Sequence, residues 1–301
     1  MKKIATIAVA ASLAAASLPA MSAETYTSSR AGSACENPDK RGRFGPLWVV
    51  GLTSDMQLVC FNEYRPGAAR SIGTINGLMR GDRLVGIDYR VQDQQLYGVS
   101  RSGGVYRLDL RTAMATKVSQ VSVALEGGSF GVDFNPAADR LRIVSDTGQN
   151  LRHNVNPNGV TIVDDPLDYP PPTPVNAVGP NASLVTGSAY TNNDLSATTG
   201  TTLYALDTFL DQIALQSPPN DGTLAAIGKL EVDAGPAGGF DIYSTLRSGV
   251  SVGVQGLASF QGAGGANHLY SINLPTGKAT ARGSFPSQYQ VVGIAIPLNQ
   301  R

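Results

Sequence analysis

Val85-Gly86-Ile87-Asp88 recurs down the chain as Phe130-Gly131-Val132-Asp133, Thr186-Gly187-Ser188-Ala189, Gly238-Gly239-Phe240-Asp241 and Val292-Gly293-Ile294-Ala295. Each copy has glycine second and Asp or Ala fourth. The glycines stand 45, 56, 52 and 54 residues apart. A self-similar period of this size, filled with short strands, marks the blades of a β-propeller. Between the glycines, strands are expected at 95–101, 104–110 and 115–119, then at 140–146, 150–155 and 160–163. The next two intervals predict strands at 202–207, 212–216 and 223–230, and at 249–255, 268–274 and 279–285. Turn signals such as Arg101-Ser102-Gly103-Gly104 separate them.

The fifth copy is followed only by the residues up to Arg301. Three more strands precede the first copy, at 47–52, 57–62 and 71–75. An open ring would leave two sheet edges unpaired. The expectation is therefore an all-β propeller of five four-stranded blades, one of them shared between N- and C-terminal strands. Six blades is the alternative if the 56-residue interval hides another unit. No long 3.6-residue apolar period with helix caps interrupts this pattern. Two connections exceed the usual length. One, 164–183, contains Tyr169-Pro170-Pro171-Pro172-Thr173-Pro174; the other, 255–267, is rich in glycine.

Lys2 and Lys3 precede an apolar run from Ile4 to Leu18, then Pro19-Ala20-Met21-Ser22-Ala23. This is the pattern of a secretory signal peptide over residues 1–23. An arm, 24–44, and a propeller, 45–301, would follow. The apolar run is shorter than the roughly 20 residues of a membrane span, so no span is expected. Gly32-Ser33-Ala34 before Cys35 lacks the aliphatic residue of a lipid-anchor signal. The destination is the periplasm or the exterior, where Cys35 and Cys60 can form a disulfide; two unpaired thiols is the alternative.

Composition narrows the function. The 301 residues are 42% hydrophobic and 15% charged, with 23 basic and 23 acidic side chains. Loss of Lys2 and Lys3 with the leader takes the net charge from 0 to −2. No basic excess exists to neutralise a nucleic-acid backbone, and the apolar content is too high for a disordered chain. Zinc-ligand spacings, phosphate-binding loops and nucleophile elbows are missing from the sequence. With two His and two Cys, a His- or Cys-rich zinc site is not expected.

The segment Gly131-Val132-Asp133-Phe134-Asn135-Pro136-Ala137-Ala138-Asp139-Arg140, continuing to Thr147-Gly148-Gln149-Asn150-Leu151-Arg152, resembles the hallmark of an exported bacterial family catalogued as domain of unknown function 4394. Thr202-Leu203-Tyr204-Ala205-Leu206-Asp207 and Pro218-Pro219-Asn220-Asp221-Gly222-Thr223-Leu224 are similar to its later motifs. The likeness runs from about Gly45 to Pro297. It implies a secreted, propeller-like domain and brings no reaction or binding residues with it.

Three constellations could carry chemistry. Asp88, Asp133 and Asp241 share one repeat position, with Ala189 and Ala295 completing the ring. Innermost strands line a propeller's channel, so the three carboxylates are expected to converge. Like charges raise one another's pKa unless compensated, and an oxygen-held hard cation such as Ca2+ would compensate them. The competing reading has each Asp binding N–H groups at its own strand end; Arg90 or Arg142 could also neutralise them. The second group is Arg140, Arg142, Asp146, Asn150 and Arg152, with His153 adjacent. Alternation puts Arg140 and Arg142 on one face, and clustered guanidiniums can grip carboxylate or phosphate. Inter-blade pairing with Asp139, Asp164 or Asp165 is the alternative. The third, Asn154-Val155-Asn156-Pro157-Asn158-Gly159, mimics a calcium loop but lacks its carboxylates, so a hairpin turn is expected. Asn181-Ala182-Ser183 is read as a loop, and His153 and His268 as polar strand residues.

Two functions from different classes fit. One is a non-catalytic binding or scaffold propeller, monomeric, taking a small-molecule, glycan or protein ligand near the channel mouth. The other is a Ca2+-assisted hydrolase such as a lactonase, with Asp146 or His153 as the base. Surface adhesion through the proline-rich segment is a third reading.

Overall fold

The computed structural model describes residues 35, 45–170, 185–196 and 198–300. The expected leader, the arm apart from Cys35, most of the proline-rich segment and Asn181 lie outside the described residues.

The chain forms five four-stranded antiparallel sheets arranged as a five-bladed propeller. Strands β1 (Trp48–Thr53), β2 (Gln57–Asn62) and β3 (Arg65–Thr74) come first. The next blade is β4 (Leu84–Arg90), β5 (Gln95–Ser100), β6 (Gly104–Asp109) and β7 (Met114–Gln120). After it come β8 (Phe130–Asn135), β9 (Arg140–Ser145), β10 (Asn150–His153) and β11 (Thr161–Val163). The fourth set is β12 (Val185–Tyr190), β13 (Leu203–Asp207), β14 (Gln212–Gln216) and β15 (Leu224–Lys229). The last is β16 (Gly238–Arg247), β17 (Val250–Gln261), β18 (Asn267–Ile272) and β19 (Ala279–Ser284), followed by β20 (Val291–Ala295). Strand β20 pairs antiparallel with β1, Val50 opposite Ala295, giving the sheet order β20-β1-β2-β3.

The repeated glycine segments are the innermost strands β4, β8, β12, β16 and β20, each packed on the next around the ring. Their closeness explains the glycines. A Cβ on Gly131 would stand 2.6 Å from the backbone N of Ser188, and one on Gly239 2.5 Å from the N of Ile294. Side chains from adjacent blades fill the space between them and build the core. Leu52, Leu58 and Cys60 meet Leu84, Leu96 and Leu108; Val99 and Val105 meet Phe134 and Leu141. Phe61 packs edge-on to Phe285, with centroids 4.9 Å apart, where β2 faces the β16–β19 blade. Area removed from water between blades supplies the main stabilisation.

Strand ends differ from expectation where side chains are small. Strand β17 continues through Gly256-Leu257-Ala258-Ser259-Phe260 to Gln261, so the 255–267 stretch is mostly strand, and only 262–266 turns. Leu257, Ala258, Ser259 and Phe260 are all buried between neighbours. A strand covered on both faces has no apolar–polar alternation, and its glycines resemble a loop. Strand β3 likewise begins at Arg65 rather than 71.

Cys35 and Cys60 form a disulfide that ties the arm to β2, with Cα atoms 6.2 Å apart. Among the described residues no helix is long and apolar enough to cross a membrane.

Candidate cation site at the propeller axis

Asp88, Asp133 and Asp241 lie on β4, β8 and β16 and meet at the axis. One carboxylate oxygen from each lies within 4.8 Å of the others, and all three residues are buried. The carboxylates converge instead of staying apart at their own strand ends, and they also bind five backbone N–H groups, two on their own strands and three on the next blade. The Asp88 carboxylate accepts the N–H of Phe134 at 2.7 Å, on β8. Asp133 accepts the N–H of Tyr190 at 3.0 Å, on β12, and Asp241 accepts that of Ile296 at 2.6 Å, just past β20. Each bond crosses to the next blade. Asp241 also takes the N–H of Ile242 at 2.5 Å, and Asp88 that of Tyr89.

Five amide dipoles do not neutralise three charges. Burial lifts all three carboxyls above the ordinary carboxylate range. Asp241 adds to the effect at Asp88, and Asp88 with Asp241 adds to it at Asp133. Asp241 is pushed up to about 7. Among the described residues no cationic side chain reaches them. Arg90 instead pairs with Asp139 and with Asp93, and Arg142 with Asp164 at 2.6 Å.

The space at this end of the axis is about 20 Å³ and at the glycine end about 10 Å³. A void of roughly 10–15 Å³ suffices for one water. The axis therefore accommodates a monatomic ion or a water and no organic molecule. Oxygens bound to one Ca2+ lie about 2.4 Å from it, hence no more than about 4.8 Å apart, which the three carboxylates satisfy. Three carboxylates offer roughly twelve lone-pair sites, so the five N–H bonds leave capacity for a cation. Asn192, 4% exposed, lines the same space, and its Nδ2 is buried without a hydrogen-bond partner. Its Oδ1 is already engaged by the N–H of Asp194 and the Ser251 hydroxyl. Its backbone has φ 88°, so only the turn-forming run Thr191-Asn192-Asn193-Asp194 could have signalled it.

The arginine constellation separates. Arg142 and Arg152 face each other in register on β9 and β10. Both are bound to Asp164, Arg152 through two bonds of 2.6 and 2.7 Å. Arg142, 1% exposed, also donates to Asn150 at 2.7 Å and to Asn220 at 3.0 Å, in the 3-10 turn Pro219–Asp221 of the next blade. Asn150 in turn donates to the carbonyls of Asp165 and Pro219. Arg140 bonds the carbonyls of its own turn, Ala138 and Asp139. Asp146 follows Ser145, which pairs with Phe130 at the glycine end of the blade, and it accepts the N–H groups of Gly128 and Ser129. It stands at the opposite end of the blade from Asp133. His153 is buried between the hydroxyls of Ser119 and Thr161, each 3.0 Å away, and burial lowers its pKa to about 4. Residues 154–160 close a turn, with Asn158 at φ 62°.

Among solved structures, the chain is similar to an auxiliary nutrient binding protein from Bacteroides ovatus, at 14% identity and a TM-score of 0.35 over 60% of this chain. It spans 46% of that protein's length. A chain of a nidogen–laminin complex matches at 12% identity and a TM-score of 0.42, covering 85% of this chain and all of that one. A Bacteroides thetaiotaomicron protein of unknown function matches at 13% and 0.43, over 86% of this chain and 68% of its own. These likenesses are too distant to bear on function. No curated protein sequence matches the chain. The model of one family, the domain of unknown function DUF4394, matches residues 57–295, and the chain belongs to that family.

Proposed function

We propose that this is an exported, non-catalytic binding propeller that holds one hard divalent cation, Ca2+ foremost, at its axis. The observation that carries this reading is the meeting of three buried carboxylates within 4.8 Å, with no cationic side chain beside them among the described residues. A buried group of like charges requires protons or a cation. Carboxylate oxygens favour a hard cation, and Asn192 Nδ2 would donate to a water on that ion. The ion would hold three blades together. The hydrolase reading needs a substrate carbonyl on the ion, and about 20 Å³ leaves no room for one. Neither Asp146, at the far end of its blade, nor His153, between two hydroxyls, is placed as its base. Export rests on the pattern of residues 1–23 and is supported by the disulfide; the working form would be residues 24–301, a monomer.

Thermal unfolding of that form tests the reading. Ca2+ should raise the midpoint of EDTA-treated protein, because a ligand bound only by the folded state stabilises it. The shift should vanish in the triple Asp88/Asp133/Asp241→Asn variant. An equal midpoint with EDTA and with Ca2+ would leave the aspartates as blade-linking groups alone.

A further inference from the structure

A second cavity, of about 840 Å³, opens beside the axial site. Tyr89 and Leu298 line both spaces. The volume lies within the roughly 300–1,000 Å³ of small-molecule sites. Its walls are chemically uneven. Met114, 44% exposed, and Leu298 give apolar surface from β7 and the segment after β20, over the buried Leu96 of β5. Arg107, exposed on β6, also lines the cavity and makes no hydrogen bond or ion pair among the described residues. The other charges on the wall offset each other, since Arg111 lies 3.4 Å from Asp109. An unengaged guanidinium thus lines a mostly polar space that also offers the apolar side chains of Met114 and Leu298.

We propose that this cavity binds a small organic anion: an apolar body against Met114 and Leu298, with a carboxylate or sulfonate held by Arg107. The planar guanidinium fork matches such a head group through two parallel bonds. The apolar body supplies affinity by leaving water. The site borders the axial space through Tyr89 and Leu298, while its guanidinium, Arg107, lies outside that space.

The probe is 8-anilinonaphthalene-1-sulfonate, titrated by fluorescence into the folded 24–301 protein. N-phenyl-1-naphthylamine, the same body without the sulfonate, is titrated in parallel. Wild type should bind one equivalent of the anion. Arg107→Gln should weaken that binding about tenfold and leave the neutral probe unchanged. Thr116→Trp, which narrows the cavity from an exposed strand position, should remove both without lowering the thermal midpoint. EDTA and Asp133→Asn should alter neither, so failure of the cation reading would not touch this one. Non-saturating fluorescence, or equal affinity in Arg107→Gln, would overturn the proposal.

Discussion

The Asp88 carboxylate accepts the backbone N–H of Phe134, the residue that follows its own repeat equivalent in the next blade. Asp133 does the same to Tyr190 and Asp241 to Ile296. Two blades carry alanine at this position, Ala189 and Ala295. The N–H groups those alanines face, on Ile242 and Tyr89, are taken by the aspartate preceding each of them, Asp241 and Asp88. Three carboxylates thus serve all five inner strands. The ring is locked with three buried charges instead of five, a number that one divalent cation and ordinary protonation can balance.

Asp133→Asn separates locking from charge. The amide oxygen can still accept from Tyr190, while one negative charge is lost. In EDTA at pH 8 this variant should melt above wild type by a few degrees. With Ca2+ the order should reverse. A variant that melts far below wild type in EDTA would show that charge at the axis is itself stabilising.

The pH dependence of the metal-free protein follows from the carboxyls. Their folded pKa values are raised, so their contribution is full below the unfolded value, about 3.8, and is lost as pH rises through the folded values. For Asp241, at about 7, the loss is on the order of 4 kcal/mol. His153, held down at about 4, acts oppositely: stability is lost as pH falls from about 6.5 towards 4. In the His153→Gln variant, where that opposing effect is gone, the melting midpoint in EDTA should fall as pH rises from about 5 to about 7, through the range in which Asp241 ionises, and Ca2+ should abolish the fall by displacing protons. His153→Gln should improve stability at pH 4.5 relative to pH 7.

Gly131→Ala tests the packing of the inner strands. Its Cβ would meet backbone at 2.6 Å, including the N of Ser188, and backbone cannot swing aside as a side chain can. The expected loss is roughly 2–4 kcal/mol, read from the urea midpoint. Gly293→Ala, whose nearest neighbour would be 3.5 Å away, should cost much less.

Arg142→Met removes the partner of a buried carboxylate. Asp164 would keep only Arg152, and the Asn220 contact to the next blade would be lost. A loss of about 3–5 kcal/mol is expected. Adding Asp164→Asn should restore part of it, because the uncompensated charge disappears; a double-mutant cycle measures that coupling.

The blade count was legible because one glycine recurs wherever inner strands crowd, and the aspartates were legible because equivalent positions on a ring converge. The cross-blade bond from Asp88 to Phe134 was not, since it depends on the direction of travel around the ring. Residues 256–260 concealed a strand because its neighbours bury both faces, leaving Gly, Ala and Ser in place of alternation. The arginines were visible as a cluster, and Asp164 was among their possible partners. That it takes both Arg142 and Arg152 follows from strand register. The cavity at Arg107 draws residues from β5, β6, β7 and the end of the chain, a juxtaposition only the closed ring creates.

Calorimetric titration of Ca2+ into EDTA-stripped 24–301 protein at pH 7, in two buffers of different ionisation enthalpy, tests the axial site most directly. One ion per chain should bind, the heat should differ between buffers as carboxyl protons are released, and Asp133→Asn should abolish the binding. No binding, or binding that survives Asp133→Asn unchanged, would contradict the assignment of the axis as a cation site.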